Sequence, residues 1–274
     1  SELRLSFRLS PYGLLAGVAG PRTLHVDIVD YPGEWLLDLA LIGKTYADWS
    51  ETTLDRIAKR PEAAAFMAQA RAEDGALRLE EPNAQSLAAA FTDYLTRARA
   101  AGWSDCTPGR FLLPGDLAGS PVLTFAPLPK PADAPRNSLW REMERRYEAY
   151  KSRVVKPFFR DHFAKLDRQI VLVDPLRAAN AGPAALAELE TALTDILACF
   201  RPGSEANPLS RLLNRRIDRI LFAATKADHI HSSSHDRLDA LLNRLVANAS
   251  RRARFAGART RSGDRTARPA SGPP

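Results

Sequence analysis

Two short runs of this chain combine residue types that could grip a nucleotide. Asp30-Tyr31-Pro32-Gly33 follows the β-rich run LHVDIV. A carboxylate leaving a strand can hold Mg²⁺, usually through the ion's water. Three residues on, a glycine lets its backbone N–H approach a terminal phosphate, because no Cβ intervenes. An Asp before a Pro-Gly turn is also ordinary turn chemistry, so this run alone decides nothing. Thr225-Lys226-Ala227-Asp228 follows ILFAA. The Asp228 carboxylate can accept both the ring N–H and the exocyclic NH₂ of guanine, a pair that adenine does not offer. The Lys226 stem can lie along the base and ribose. A strand ending in a capped turn also favours Thr, Lys and Asp. Both runs, in this order and each at the C-terminal end of a strand where open α/β sheets bind ligands, are more specific together than apart. They require both strand ends to open on the same edge of one sheet.

Other chemistries find less support. A phosphate-cradling G-x-x-x-x-G-K-[ST] loop is absent. Gly43-Lys44-Thr45 resembles its end, but the first glycine would fall at Asp38, and the preceding EWLLDLALI reads as a helix rather than a strand. His229, His231 and His235 stand close enough for a metal site, but they equally suit a polar loop and helix start capped by Ser233 or Ser234. Cys106 and Cys199 have no activating neighbour in sequence and read as core or loop thiols. No G-x-S-x-G or H-E-x-x-H run is present, which leaves hydrolase triads and zincins without support.

The elements that must position these residues follow from periodicity. Leu3–Leu9 alternates, and Thr23–Asp30 is β-rich, giving an antiparallel pair that ends at Tyr31-Pro32-Gly33. From Glu34 to about Arg168 the period is helical. Pro61 can open a helix running through Met67, and Ser86–Ala101 presents Leu87, Phe91, Tyr94, Leu95 and Ala98 on one face before Gly102 stops it. Residues 105–137 hold seven of the twenty prolines and read as a long surface loop with one strand or none. Leu139, Met143, Tyr147, Tyr150, Val154 and Phe158 then mark a long amphipathic helix that Pro157 should kink or end. Its many Arg and Lys are interleaved with Glu and Asp, which suits a solvated face.

The last third alternates strand and helix: QIVLV at 169–173, a helix over Pro183–Phe200 stopped by Pro202-Gly203, a strand over Ile217–Thr225, and a helix over Ser234–Ala249. Apolar strands separated by helices indicate a parallel sheet buried on both faces in an α/β domain.

Composition narrows the function classes. The 274 residues are 45% hydrophobic and 26% charged, as in a globular protein. No apolar run reaches the roughly 20 residues of a spanning helix, the N-terminus does not resemble a signal peptide, and two cysteines are too few for a disulfide framework. A cytoplasmic protein is expected. The net charge of +7 would suggest nucleic acid. However, seven arginines and one acid lie in residues 251–274, so residues 1–250 carry a net +1. Nucleic-acid binding is therefore not expected of the folded part. Were the tail to bind nucleic acid, deleting residues 251–274 would abolish a steep salt dependence.

The D-x-x-G and T-K-x-D elements resemble those of GTPases. With their surroundings, LHVDIVDYPGEWLLDL, RQIVLVDPLRAANAGPAAL, ETALTDILACF and RRIDRILFAATKADHIH, they resemble the YcjX-like family of bacterial P-loop NTPases, Ras-like GTP-binding proteins associated with stress responses. The resemblance covers most of residues 1–258. It implies an incomplete α/β P-loop NTPase sheet, formed by residues 1–33 and 169–250 and interrupted by a large, mostly helical insertion at 34–168. It also implies that the chain begins after the P-loop, first helix and first switch.

By this resemblance Asp30 and Gly33 match the metal-linked and γ-phosphate positions. Thr225, Lys226 and Asp228 match the base-recognition positions. Glu34 stands where many related GTPases place a water-orienting glutamine, a task that a carboxylate does not perform identically. The implied ligands are GTP (or ATP) and Mg²⁺, hydrolysed as a regulatory switch in the intact protein, with the chain inactive alone and an unknown protein partner met through the insertion. The alternative is a non-enzymatic scaffold that acts through the insertion and retains a vestigial nucleotide site. The resemblance fades near Arg259, where the family continues into another strand. The Arg-rich 251–274 reads as a premature end or altered frame, or as a genuine disordered tail.

Overall fold

Alternating apolar residues pair the first two strands. In the computed structural model, which describes residues 2–9, 22–162, 166–199, 219–255 and 259–262, β1 (Glu2–Leu9) runs antiparallel to β2 (Arg22–Val29). Leu3 stands opposite Ile28, Leu5 opposite Val26 and Phe7 opposite Leu24, so the apolar set shares one face. The polar face is held by cross-strand pairs: Arg4 donates to Asp27 at 2.8 Å and Ser6 meets His25 at 2.9 Å. Residues 1–32 form one unit and 33–274 another.

The second unit begins with α1 (Gly33–Leu37), continued by a 3₁₀ turn over Asp38–Leu41. α2 (Tyr46–Ile57) opens on a capping box in which the Thr45 hydroxyl accepts from Asp48 N–H and the Asp48 carboxylate accepts from Thr45 N–H. Pro61–Ala63 is a 3₁₀ turn rather than the first helical turn, and α3 (Ala64–Ala72) follows it. α4 (Glu81–Ala101) buries Leu87, Phe91, Tyr94, Leu95 and Ala98 as their spacing predicts, and Gly102 ends it in the left-handed region. A short α5 (Gly109–Leu112) leads to α6 (Leu139–Tyr150).

The proline-rich stretch lacks a strand, as expected, yet it is not a surface loop throughout. Phe125, Ala126 and Leu128 are fully or almost fully buried. Tyr46 Oη donates to the Ala126 carbonyl at 2.8 Å, and Ser50 Oγ both donates to the Leu128 carbonyl and accepts its N–H at 2.7 Å. Helix α2 therefore supplies the hydrogen bonds that a buried loop needs.

Pro157 does not end the amphipathic helix. Between α6 and α7 (Lys156–Asp161) lies a π turn, Lys151–Val155, which absorbs the missing proline N–H. The basic face is paired as expected: Arg141 with Glu144, Arg145 with Glu142, and Arg146 with Glu81 and Glu142.

β3 (Arg168–Val173) and β4 (Arg219–Ala224) are parallel, with α8 (Pro175–Ala181) and α9 (Pro183–Cys199) between them. After α10 (His235–Phe255) a third parallel strand, β5 (Arg259–Ser262), adds beside β4. The boundary expected at residue 250 thus falls inside α10. A strand stands at Arg259–Ser262, within the Arg-rich stretch that reads in sequence as an altered frame or a disordered tail. The expected stop at Pro202-Gly203 and the start of the strand at Ile217 lie outside the described residues.

Val171, Val173, Ile220 and Phe222 pack against Leu193 and Leu197 of α9 and Leu242, Leu245 and Val246 of α10. The expectation of burial on both faces is not met in β3. β3 alternates, leaving Ile170 63% and Leu172 69% exposed. α9 also joins this sheet to the helices: Glu188 pairs with buried Arg60 and accepts the N–H groups of Ser104 and Asp105 at 3.0 and 2.8 Å.

Candidate functional site

The sheet's parallel ladder leads directly into the T-K-x-D run. Past the Val173–Ala224 pair, Thr225 N–H donates to the Val173 carbonyl at 2.8 Å, and Thr225 Oγ1 reaches the same oxygen at 3.2 Å. The loop is thereby bonded to the end of the neighbouring strand. Lys226 then takes a left-handed backbone conformation, φ +61°, which is uncommon for a residue with a Cβ. A 3₁₀ turn over Ala227–His229 follows and presents Asp228 with its side chain 84% exposed.

Lys226 is held at its far end as well. Its Nζ lies 2.6 Å from Asp174 Oδ2, at the C-terminal end of β3. Asp174 is also the N-cap of α8 and accepts Arg177 N–H at 3.0 Å through Oδ1. Burial works to raise the Asp174 carboxyl, but the Lys226 ammonium, the Arg177 N–H and the nearby Arg177 charge outweigh it. The group sits below the ordinary carboxylate range. Beside this pair opens a cleft of about 600 Å³, with Asp174, Arg177, Asn180, Lys226, His229 and Ile230 among its lining.

The three histidines behave as loop and helix-start residues. His235 Nε2 meets the Ala227 carbonyl at 3.1 Å, tying α10 to the T-K-x-D turn. The Ser232–Ser234 turn that leads into α10 is itself capped by His231, whose Nδ1 accepts Ser233 N–H at 3.3 Å. Among the described residues no group of three or more His, Cys, Asp or Glu could hold a metal ion. Cys106 is buried and its thiol is pushed up to about 12, chiefly by burial, which leaves it inert. The side chain of Cys199 lies outside the described set.

The D-x-x-G residues divide between the two units. Asp30, exposed, leaves β2 in the first. Gly33 starts α1 in the second, with open space around its Cα. Among the described residues the two motifs end strands of separate sheets, where the sequence expects one. Glu34 forms an ion pair with Arg99 of α4, and the Arg99 carbonyl accepts from Arg177 of α8. Glu34 is thus connected through Arg99 to the wall of the cleft beside Lys226.

Behind Glu34, α1 is clamped. The Arg110 guanidinium stacks over Trp35, whose Nε1 donates to the Leu113 carbonyl at 3.1 Å. Asp38 is fully buried, accepting Gly109 N–H at 2.6 Å and Tyr150 Oη–H at 2.5 Å. Gly109 is required there, since a Cβ would collide with the Glu34 carbonyl.

Gly43-Lys44-Thr45 joins helices, not a strand to a helix. The Lys44 carbonyl accepts from Tyr147 and Lys151, while Thr45 caps α2. The run is structural, as its spacing indicates. No local pattern in the sequence marks Arg99, Arg177 or Asp38 as belonging to this region. For Asp174 the one signal is an Asp-Pro pair at the end of a strand, where an N-cap and a ligand-facing edge coincide.

Residues 1–267 match the YcjX-like family, DUF463. The chain is similar to the Ras-like GTPase YcjX of Escherichia coli (strain K12), 38% identical over 268 residues, which is 94% of this chain and 57% of that protein. It is similar also to the Ras-like GTPase YcjX of Shewanella oneidensis (strain MR-1), 38% identical over 270 residues, 94% and 56% respectively. The chain spans just over half the length of these relatives. The family match extends past Arg259, where the resemblance was expected to fade.

Proposed function

The chain belongs to the YcjX-like family, and on that premise we propose that it forms the base-recognition side of a GTP-binding switch whose hydrolytic cycle requires the full-length protein. The observation that carries this reading is the T-K-x-D loop. It stands at the C-terminal edge of a parallel sheet, bonded to the neighbouring strand, with the Asp228 carboxylate open to solvent.

Asp228 accepts the ring N–H and exocyclic amine of guanine, and the Lys226 stem lies along the base. The Asp228 contacts favour GTP over ATP, whereas the Lys226 stem packs against either purine. In the full-length protein the D-x-x-G match implies that Asp30, which here ends a strand of a separate sheet in the other unit, would hold Mg²⁺ through its water, and the ion would neutralise phosphate charge. The described residues offer no cluster of acidic ligands, so phosphates and water would supply its remaining oxygens, which suits Mg²⁺. Gly33 N–H meets the γ-phosphate. In-line attack of water on the γ-phosphorus breaks its bond to the bridging oxygen and yields GDP and phosphate. Glu34, tied to Arg99, orients that water less directly than a glutamine would and carries the change at Gly33 into α4.

Residues 1–274 contain no G-x-x-x-x-G-K-[ST] run. On this reading they bind triphosphate weakly and do not turn it over when isolated, and GTPase activity from residues 1–274 alone would refute that part. The base assignment is tested by calorimetric titration of the full-length protein with GDP and ADP. GDP should bind at least about tenfold more tightly, and Asp228→Asn should remove the preference. An unchanged preference would overturn the assignment and favour a scaffold acting through the helices of residues 34–168.

A further inference from the structure

The T-K-x-D loop is bonded to β3 at three points, and the third uses a residue that the D-x-x-G and T-K-x-D elements do not include. Thr225 supplies two bonds to the Val173 carbonyl, and Lys226 Nζ supplies the third to Asp174 at 2.6 Å. Lys226 is therefore fixed at both ends, by its left-handed backbone and by its tethered ammonium. A free lysine samples many rotamers, and ordering one on ligand binding weakens affinity. Here the four methylenes form a fixed strip along the cleft, in a side chain that is 51% exposed overall and so open to a flat ring. Asp174 is fixed in turn, because its other oxygen caps α8 through Arg177 N–H at 3.0 Å.

Resting on the guanine-nucleotide reading above, we propose that Asp174 is a positioning residue that holds the Lys226 stem in place for the base and ribose. It acts through Lys226 and touches no part of the purine edge. Its effect is therefore independent of which base is bound, whereas Asp228 reads the edge itself. The two roles separate with GDP and IDP, since hypoxanthine keeps the ring N–H of guanine but lacks the exocyclic amine.

The experiment is a calorimetric titration of GDP and IDP into the full-length protein and its variants. Asp174→Asn keeps an oxygen to cap α8 but removes the charge that holds Lys226. It should weaken GDP and IDP alike by about tenfold, the scale of one long side chain's rotamer freedom, and leave the GDP/IDP ratio unchanged. In a Lys226→Ala background the same substitution should cost nothing further, because the group it acts through is gone. Wild-type affinity in Asp174→Asn, or an undiminished loss in the Lys226→Ala background, overturns the proposal. Should Asp174→Asn melt early, Asp174→Ser, another N-cap former, replaces it. Asp228→Asn serves as the reference for the underlying reading: it should collapse the GDP/IDP ratio. An unchanged ratio there removes the reading itself, whatever Asp174 does.

Discussion

Asp38 is fully buried, and burial is the main reason its carboxyl is raised to about 6, against the lowering effect of the Tyr150 hydroxyl and the Gly109 and Arg110 N–H groups. The sign of the consequence follows from proton binding. A carboxyl raised on folding holds its proton in the native state after the unfolded chain has lost it, so stability falls as pH rises from about 4 to about 6 and is level above. The shift corresponds to roughly 3 kcal/mol. Asp38→Asn should remove this slope, with the amide oxygen accepting Gly109 N–H and the NH₂ donating to the Tyr150 oxygen. Glu188 is also raised, chiefly by burial, so the test is the difference between wild-type and variant urea unfolding free energies at pH 4, 5, 6 and 7. A difference that stays constant across that range would refute the assignment. In the sequence, Asp38 is legible only as the residue that spoils a P-loop spacing. Its partners lie 71 to 112 residues away, and no local pattern announces such a contact.

At the scale of elements, most helices and strands were legible because their signals are local. Gly102 was readable as a stop after an apolar stripe, and it ends α4 at φ +100°. The burial of Phe125–Leu128 was not readable, because it depends on hydrogen bonds from Tyr46 and Ser50, some eighty residues earlier. Nor was the π turn that lets the helix pass Pro157. Gly102 has a second duty that sequence conceals: a Cβ there would lie 2.8 Å from Ala181 Cβ, where the end of α4 meets α8. Gly102→Ala therefore combines a left-handed backbone penalty with overpacking and should lower stability by about 2–3 kcal/mol in urea unfolding. Adding Ala181→Gly should recover the steric part only, leaving about 1 kcal/mol of backbone strain plus the cost of a helical glycine. A loss of only about 1 kcal/mol in Gly102→Ala, with no recovery on Ala181→Gly, would show that α4 and α8 part without penalty.

For the whole molecule, the apolar rows left in solvent carry the argument. QIVLV reads as a strand buried on both faces, yet α9 and α10 cover only one, and Ile170 and Leu172 face outward. The run is informative about what the strand needs and silent about which residues supply it. The hairpin shows the same in stronger form, with Leu3, Leu5, Phe7, Leu9, Leu24, Val26 and Ile28 all exposed. Apolar surface of this kind suits a face that another surface covers, and the match spans only 57% and 56% of the two relatives. Replacing Ile170 and Leu172 with threonine keeps β propensity while removing apolar area. In isolated residues 1–274 the double variant should bind less hydrophobic dye, with little change in melting temperature, because those side chains already meet water. In the full-length protein the same variant should lose roughly 2–4 kcal/mol, the cost of trimming two buried side chains and placing their hydroxyls out of water. If the full-length protein tolerates it as well as the isolated residues do, the outer face of β3 is open in both, and the cover inferred from its sequence does not exist.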